Sequence, residues 1–425
     1  NTRSRGLGDV YKRQGEKELT KSVREALNQL SLEVCEQAGI QKEEVMEMVM
    51  VGNPVMHHLV HGINPVELGG APFALATDEA IITPASDLDL ELHQLARTYT
   101  LPCIAGHVGA DTAAMVLAEA PHHQEAITLL VDVGTNAEIV LGNRDRLLAA
   151  SSPTGPAFEG AQISSGQRAA PGAVERVRID PKTLEPRFRV IGSECWSDEV
   201  SFAEDTKKIG VTGICGSGII EAIAELYLCG IISQDGLFDE SMMDCNNRII
   251  KEGRTCSYLL HKGEPELRIT QNDIRAIQLA KAALYAGIRL LMDHLGIEEV
   301  QRIRLAGAFG SHIDVKYAMI LGLIPDCDLD HVSSAGNAAG TGARMALLNH
   351  ESRREIEETV RKIEKVETAV EPAFQQHFVD AMAIPHKHAP STHLQKTVSL
   401  PEAKNNAQGN GDSTSRRRRS KRVAA

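Results

Sequence analysis

The chain has 425 residues, too many for one hydrophobic core and enough for two or three domains. Its 45 Lys and Arg against 57 Asp and Glu give a formal net charge of −12, and 42% hydrophobic residues with 4% aromatics and 35 glycines is an α/β composition. No run of 18 apolar residues exists and the first residues are polar, so neither a membrane span nor a signal peptide is expected, and the expected location is cytoplasmic.

The eight cysteines (Cys35, Cys103, Cys195, Cys215, Cys229, Cys245, Cys256, Cys327) include no C-x-x-C and read as reduced thiols, with no zinc or iron–sulfur motif. Basic residues gather at the ends: Arg3, Arg5, Lys12 and Arg13 first, Arg416 to Arg419, Lys421 and Arg422 last. The body between them is more acidic than the net charge states, which argues against nucleic acid as a partner.

In chain order, residues 1–14 show no periodicity and are expected to be a translated adapter sequence outside the fold. From Glu16 to Ala38 the positions Leu19, Val23, Leu27, Leu30 and Val34 predict an amphipathic helix closed by Gly39. The apolar run Met48 to Val51 ends in Gly52-Asn53-Pro54 and a helix over Val55 to Val60, one strand–turn–helix unit. A second unit runs from Pro102 to Ala105, through the turn Gly106 to Gly109, into a helix from Ala110 to Ala118. The connector Pro121 to Ala126 is the expected lobe boundary.

Beyond it, Leu129 to Asp132, Ala137 to Leu141 and Arg146 to Ala150 predict a meander at the antiparallel edge of a mixed sheet. Asp273 to Leu295 predicts a long helix, opened by a Thr270–Asp273 capping box and closed by Gly296. Past Pro385 the apolar pattern stops, so residues 388–425 are expected to be a disordered basic tail.

Several turns could carry chemistry. In Leu129 to Leu141, a buried strand ends at Asp132 and the turn Gly134-Thr135-Asn136 offers backbone N–H groups and a hydroxyl, which suits phosphate, with Asp132 holding a water on Mg²⁺. An ordinary hairpin is the alternative. Asp111 and Thr112 open a helix where a carboxylate could orient a metal-bound water, or simply cap. Gly216-Ser217-Gly218 precede a helix over Ile219 to Leu228, suited to an anion, though no Walker-type loop is spelled. Gly307 and Gly310 follow the strand Ile303 to Ala306 and leave room for a flat ring, and Gly336 to Gly340 open a further helix. His57, His58 and His61 read as helix packing, and Trp196 likewise.

The order of these segments resembles the second half of the actin-like ATPase superfamily, with its connecting helix, second phosphate hairpin, adenosine turn and second connecting helix. Here these are Gly109 to Ala120, Leu129 to Leu141, Leu305 to Gly310 and Gly336 to Leu347. The implied fold is α/β, an actin-like (RNase H-like, ASKHA) two-lobe ATPase with mixed sheets and an incomplete first lobe. The closer resemblance is to the reductive activators of corrinoid proteins, the RACo family. It is carried by Val51 to Phe73, Ile104 to Leu117, Leu129 to Leu141, Ser151 to Glu175, the segment GICGSGIIEAIAEL, Ile269 to Ile288 and LAGAFG. On that resemblance residues 15–126 are the C-terminal part of the RACo middle region and 127–387 its C-terminal ATPase domain.

The resemblance implies ATP-driven return of a Co(II) corrinoid to Co(I) on a corrinoid protein or corrinoid-dependent methyltransferase, fed by an electron donor. It implies ATP and Mg²⁺ as cofactors, with a [2Fe-2S] cluster only in a segment upstream, so that this chain alone would be inactive. Carried over residue by residue, Asp132, Gly134, Thr135 and Asn136 would meet phosphates, Asp111 the metal or its water, Gly216, Ser217 and Gly218 an anion, and Gly307 and Gly310 the adenine. Pro156, Phe158 and Glu159 receive no role beyond a loop near the cleft. Two alternatives stand: an activator of a radical dehydratase with a cluster bridged between subunits of a homodimer, for which Cys215 is the candidate ligand, and a non-catalytic nucleotide-dependent binding module.

Overall fold

The computed structural model describes residues 13–244, 246–310 and 312–401. The first helix, α1 (Arg13–Ala38), begins three residues before the expected start at Glu16 and ends at Gly39, whose φ of +71° suits a residue without a Cβ. Its apolar stripe divides: Val23 and Leu27 pack on the first lobe, whereas Leu30 and Val34 are exposed. That lobe carries a three-stranded sheet in which β1 (Glu47–Met50) runs parallel to β3 (Arg97–Thr100), and β2 (Ile81–Pro84) pairs antiparallel with β3. After β1 comes α2 (Pro54–Val60), N-capped by Asn53, whose Oδ1 accepts from Met56 N at 3.0 Å.

The link to the second lobe is α3 (Ala110–Glu119), almost wholly buried, followed by a short turn at Pro121–His123. The main sheet of the second lobe has six strands. The meander β4 (Thr128–Val133), β5 (Ala137–Gly142) and β6 (Leu147–Ser152) forms its centre. The expectation that this meander supplies the edge is corrected, because parallel strands join both of its sides. Two smaller sheets follow, one from β7 (Ala173–Ile179), β8 (Pro186–Val190) and β9 (Gly213–Ile214), the other from β10 (Ile249–Glu252), β11 (Thr255–His261) and β12 (Leu267–Thr270). Packed on β7 is α4 (Gly216–Leu228), where a Cβ on Gly218 would stand 2.2 Å from Val174 O.

The long helix α5 (Gln271–Leu295) has the expected capping box, with Asp273 N donating to Thr270 Oγ1 and Thr270 N to Asp273 Oδ2. The same Asp273 accepts from Ser164 N at 2.7 Å, which ties the Ser151 to Glu175 block to the helix start. Where α5 crosses the main sheet it lies close: a Cβ on Gly287 would meet Ile139 at 2.8 Å. The remaining strands of the main sheet are β13 (Arg302–Ala306), beside β4, β14 (Val332–Gly336), beyond it, and β15 (Glu364–Lys365), beside β6.

Between the last two strands come α6 (Ala338–Leu348) and α7 (His350–Val360). The two connecting helices meet at one tight point, where a Cβ on Gly342 of α6 would stand 2.0 Å from Ala114 O of α3. This crossing fixes how closely the two helices approach.

Disorder from His388 onward does not hold for residues 388–401. Leu394 is buried, Val398 and Leu400 pack on the second lobe, and Asp326 accepts from the backbone N of His393 and Leu394. The Arg-rich run beyond, like residues 1–12, lies outside the described residues. Upstream of it, the buried Lys281 donates to Ala383 O and Pro385 O, anchoring the segment that the apolar pattern no longer marks.

Candidate functional site

Strand β4 is buried on both faces through Leu129, Leu130 and Val131 and delivers a half-buried Asp132 to its far end. The chain turns at Gly134-Thr135-Asn136 and returns as β5, in a register that sets Glu138 directly opposite Asp132. Opposed residues share a face of the sheet, so both carboxylates point the same way. A third comes from α3. Its N-cap is Gly109, not Asp111; the Asp111 carboxylate sits in the first turn and accepts from Thr112 N at 2.8 Å. Glycine is needed at position 109, because a Cβ would fall 2.5 Å from Gly52 O. Gly307, at φ +82°, closes the other side: a Cβ there would stand 2.2 Å from Asp132 Oδ1.

The electrostatics follow from this convergence. Burial, and then the charge of Asp111, pushes Asp132 up to about 6. Burial, then Asp111, then Asp132 pushes Glu138 up to about 9. Asp111 is itself raised by burial. Every charge that perturbs Asp132 and Glu138 is another carboxylate, so the hollow favours a proton or a cation over three bare anions. Among the described residues the three do not close to within 4.8 Å as a ligand set. Carboxylate oxygens suit Mg²⁺, a hard cation that usually keeps several of its waters. The donor set therefore fits a hard divalent cation.

The hairpin tip is held from below. Thr154 Oγ1 donates to Gly134 O at 2.7 Å, Gly155 N donates to Thr135 O at 2.8 Å, and Gly134 N donates to Asn136 O at 3.1 Å. The exposed Thr135 donates its hydroxyl to the Glu159 carboxylate at 2.6 Å. Glu159 ends the short turn Pro156–Glu159, so this part of the Ser151 to Glu175 block lies against the tip and gains the role that sequence did not assign. Asn136 also lines a cleft of about 360 Å³ with His107 and Thr368.

The structure thus brings Asp111, Asp132, Gly307 and the Gly134 to Asn136 turn together. Other predicted residues are seen in packing contacts. Gly216, Ser217 and Gly218 are buried in the packing of α4 on β7, with Ser217 Oγ 3.3 Å from Cys215 Sγ. Gly310 lies against the Leu305 backbone. Cys215 is buried and its thiol donates to Val174 O at 3.2 Å, a poor position for a cluster shared between subunits. His57 and His61 are pushed down to about 4, chiefly by burial; His58 accepts from Ala76 N and His61 meets Thr100, as packing residues do. Trp196 is stacked by Arg187, 4.7 Å from the ring centre.

The sequence reading missed Glu138 altogether and the role of Glu159. Glu138 was within reach, because counting outward from a three-residue turn pairs it with Asp132. Glu159 was not, since its approach to Thr135 depends on the tertiary path of the loop.

Two family models cover most of the chain: the RACo middle region over residues 5–124, starting inside the segment expected to be adapter, and the C-terminal ASKHA domain of RACo over residues 126–395. The chain is 35% identical over 370 residues to the corrinoid activation enzyme RamQ of Eubacterium limosum, a match covering 84% of this chain and 59% of that protein. It is 29% identical over 271 residues to the [Co(II) methylated amine-specific corrinoid protein] reductase of Methanosarcina barkeri, covering 62% of this chain and 46% of that protein. The solved reductive activator for a corrinoid, iron–sulfur protein superposes with a TM-score of 0.75 at 34% identity, over 89% of this chain and 58% of that one. The chain spans somewhat more than half the length of the first of these relatives and of the solved activator. With the ASKHA model matched across the lobe that holds the carboxylate hollow, this chain belongs to the RACo family.

Proposed function

We propose that this chain is the nucleotide-responsive part of a reductive activator that returns an inactive Co(II) corrinoid to Co(I) on a corrinoid protein or corrinoid-dependent methyltransferase. The carrying observation is the convergence of the Asp111, Asp132 and Glu138 charges where the connecting helix meets the main sheet, in a chain similar to a corrinoid activation enzyme and a Co(II) corrinoid-protein reductase. Bound Mg-ATP supplies phosphoanhydride hydrolysis. Asp132 and Asp111 would hold the hydrated cation, Glu138 would release its proton to a cation placed beside it, and the Gly134 to Asn136 backbone with the Thr135 hydroxyl would orient the phosphates. Gly307, having no Cβ, leaves the Asp132 carboxylate free of a clash.

Asp111 belongs to the connecting helix and Asp132 to the sheet of the second lobe, so a cation held by both would tie helix and sheet together. Such a cation would shift a conformational equilibrium only by its different affinity for the two states. The electron comes from a low-potential donor, proposed to be a [2Fe-2S] centre or ferredoxin outside these residues.

The test uses the full reading frame with a Co(II) corrinoid protein, a low-potential reductant and Mg-ATP, following the Co(I) absorbance. Growth of Co(I) only with ATP, abolished by Asp132→Ala, is the expected result. ATP-independent reduction, or an unaffected Asp132→Ala variant, would overturn the reading.

A further inference from the structure

Away from the carboxylate hollow, a second cluster has a different chemistry. His122 and His123 end the short turn after α3, and Glu355 faces them from α7. Both imidazole Nε2 atoms lie 2.8 Å from the same Glu355 Oε1. The donor atoms of these three residues all fall within 4.8 Å of one another, the only such group among the described residues. The two rings are 4.2 Å apart between centres, and the cluster opens on a cavity of about 310 Å³ that Thr359 and Lys362 also line. Neither the sequence reading nor the nucleotide site uses these residues.

We propose that His122, His123 and Glu355 form a binding site for a borderline transition-metal ion, Zn²⁺ in the first instance. Two imidazole nitrogens and one carboxylate oxygen select such an ion over Mg²⁺ or Ca²⁺, which take oxygen ligands. Three protein ligands leave a fourth position, and the cavity supplies the room for a water or small anion there. Both nitrogens already point at one oxygen, so the ion replaces the hydrogen-bonding protons with little rearrangement of backbone.

The ligands come from the turn that leads out of α3 and from a helix packed on α3, so the ion would clamp that turn beside the passage between the lobes. His122 Nδ1 is buried without a partner, so binding obliges it to carry an unpaired N–H. Affinity weaker than that of a closed four-ligand site follows. The proposal is independent of the nucleotide reading.

The experiment is a titration of the metal-stripped full chain with Zn²⁺ by calorimetry, and with Co²⁺ by absorption. His123→Ala is the main variant, because His123 is mostly exposed and its loss leaves the core intact; Glu355→Gln is the second. The expected result is one saturable ion per chain, a Co²⁺ spectrum without thiolate charge transfer, and affinity lowered more than about 10-fold in both variants. No saturable binding, equal binding by both variants, or a thiolate-to-cobalt band that places the ion on the cysteines would overturn it.

Discussion

Asp132 and Glu138 stand directly opposite each other on β4 and β5, two carboxylates on one face of an antiparallel ladder, with Asp111 of the connecting helix close enough to raise both. Like charges in that relationship destabilise a sheet unless a proton or cation intervenes. A fold that keeps the pair has placed an electrostatic cost where a cation relieves it, and this makes the hollow experimentally accessible.

Glu138→Gln should therefore act in two directions. Without metal near pH 7 the variant should melt a few degrees higher, on the order of 1 kcal/mol, because the folded wild type must hold a proton on Glu138 that the unfolded chain has released, and glutamine is neutral in both. The stabilisation that Mg²⁺ gives the wild type should shrink. Thermal melts with and without Mg²⁺ check both; a variant that melts lower without metal and responds normally to Mg²⁺ would contradict the cluster's role.

The pH profile should have two arms. His57, His61 and His386 have folded values near 4 against about 6.5 unfolded, so the unfolded chain binds more protons between those values and stability is lost as pH falls through that window. Asp132, at about 6, and Glu138, at about 9, are raised, so the folded chain binds more protons and stability declines as pH rises towards 9. Melting temperature in metal-free buffer should peak near neutrality, and Mg²⁺ should lift mainly the alkaline arm.

Thr135 and Glu159 should separate by sign. Thr135→Ala removes a hydroxyl donor and should weaken binding of a non-hydrolysable ATP analogue, whereas Glu159→Ala removes a carboxylate beside the phosphate turn and should strengthen it. Changes of roughly 3- to 10-fold, the scale of one hydrogen bond, are expected by calorimetry. Changes of the same sign would show that Glu159 supports the turn instead of competing with phosphate.

Gly342→Val should force α6 off α3, because a Cβ there would lie 2.0 Å from Ala114 O. A loss of about 1–3 kcal/mol is expected in denaturant unfolding, larger than for Gly39→Ala, whose Cβ meets nothing although its φ is strained. Equal losses would remove the crossing as a determinant of how closely the two helices approach.

Local rules made much of this molecule legible from its sequence. The Thr270–Asp273 box and Gly296 bound α5, Asn53 starts α2, and the alternation of apolar runs with glycine turns marks β4 and β5, because caps, turns and periodicity depend on residues a few positions apart. Asp111, Asp132 and the Gly134 turn were read from their local strand and turn context, and motif order carried the family resemblance. What tertiary structure alone decided involves pairs distant in the chain. The meander lies at the centre of its sheet because β13 and β15, far along the sequence, flank it. Glu159 reaches Thr135, Glu355 reaches His122 and His123, and Leu394 returns to the second lobe through contacts that no local pattern announces. Sequence fixes which groups are available within one turn or one hairpin; which of them share a site is settled by burying apolar surface between distant segments, and that packing is a property of the whole fold.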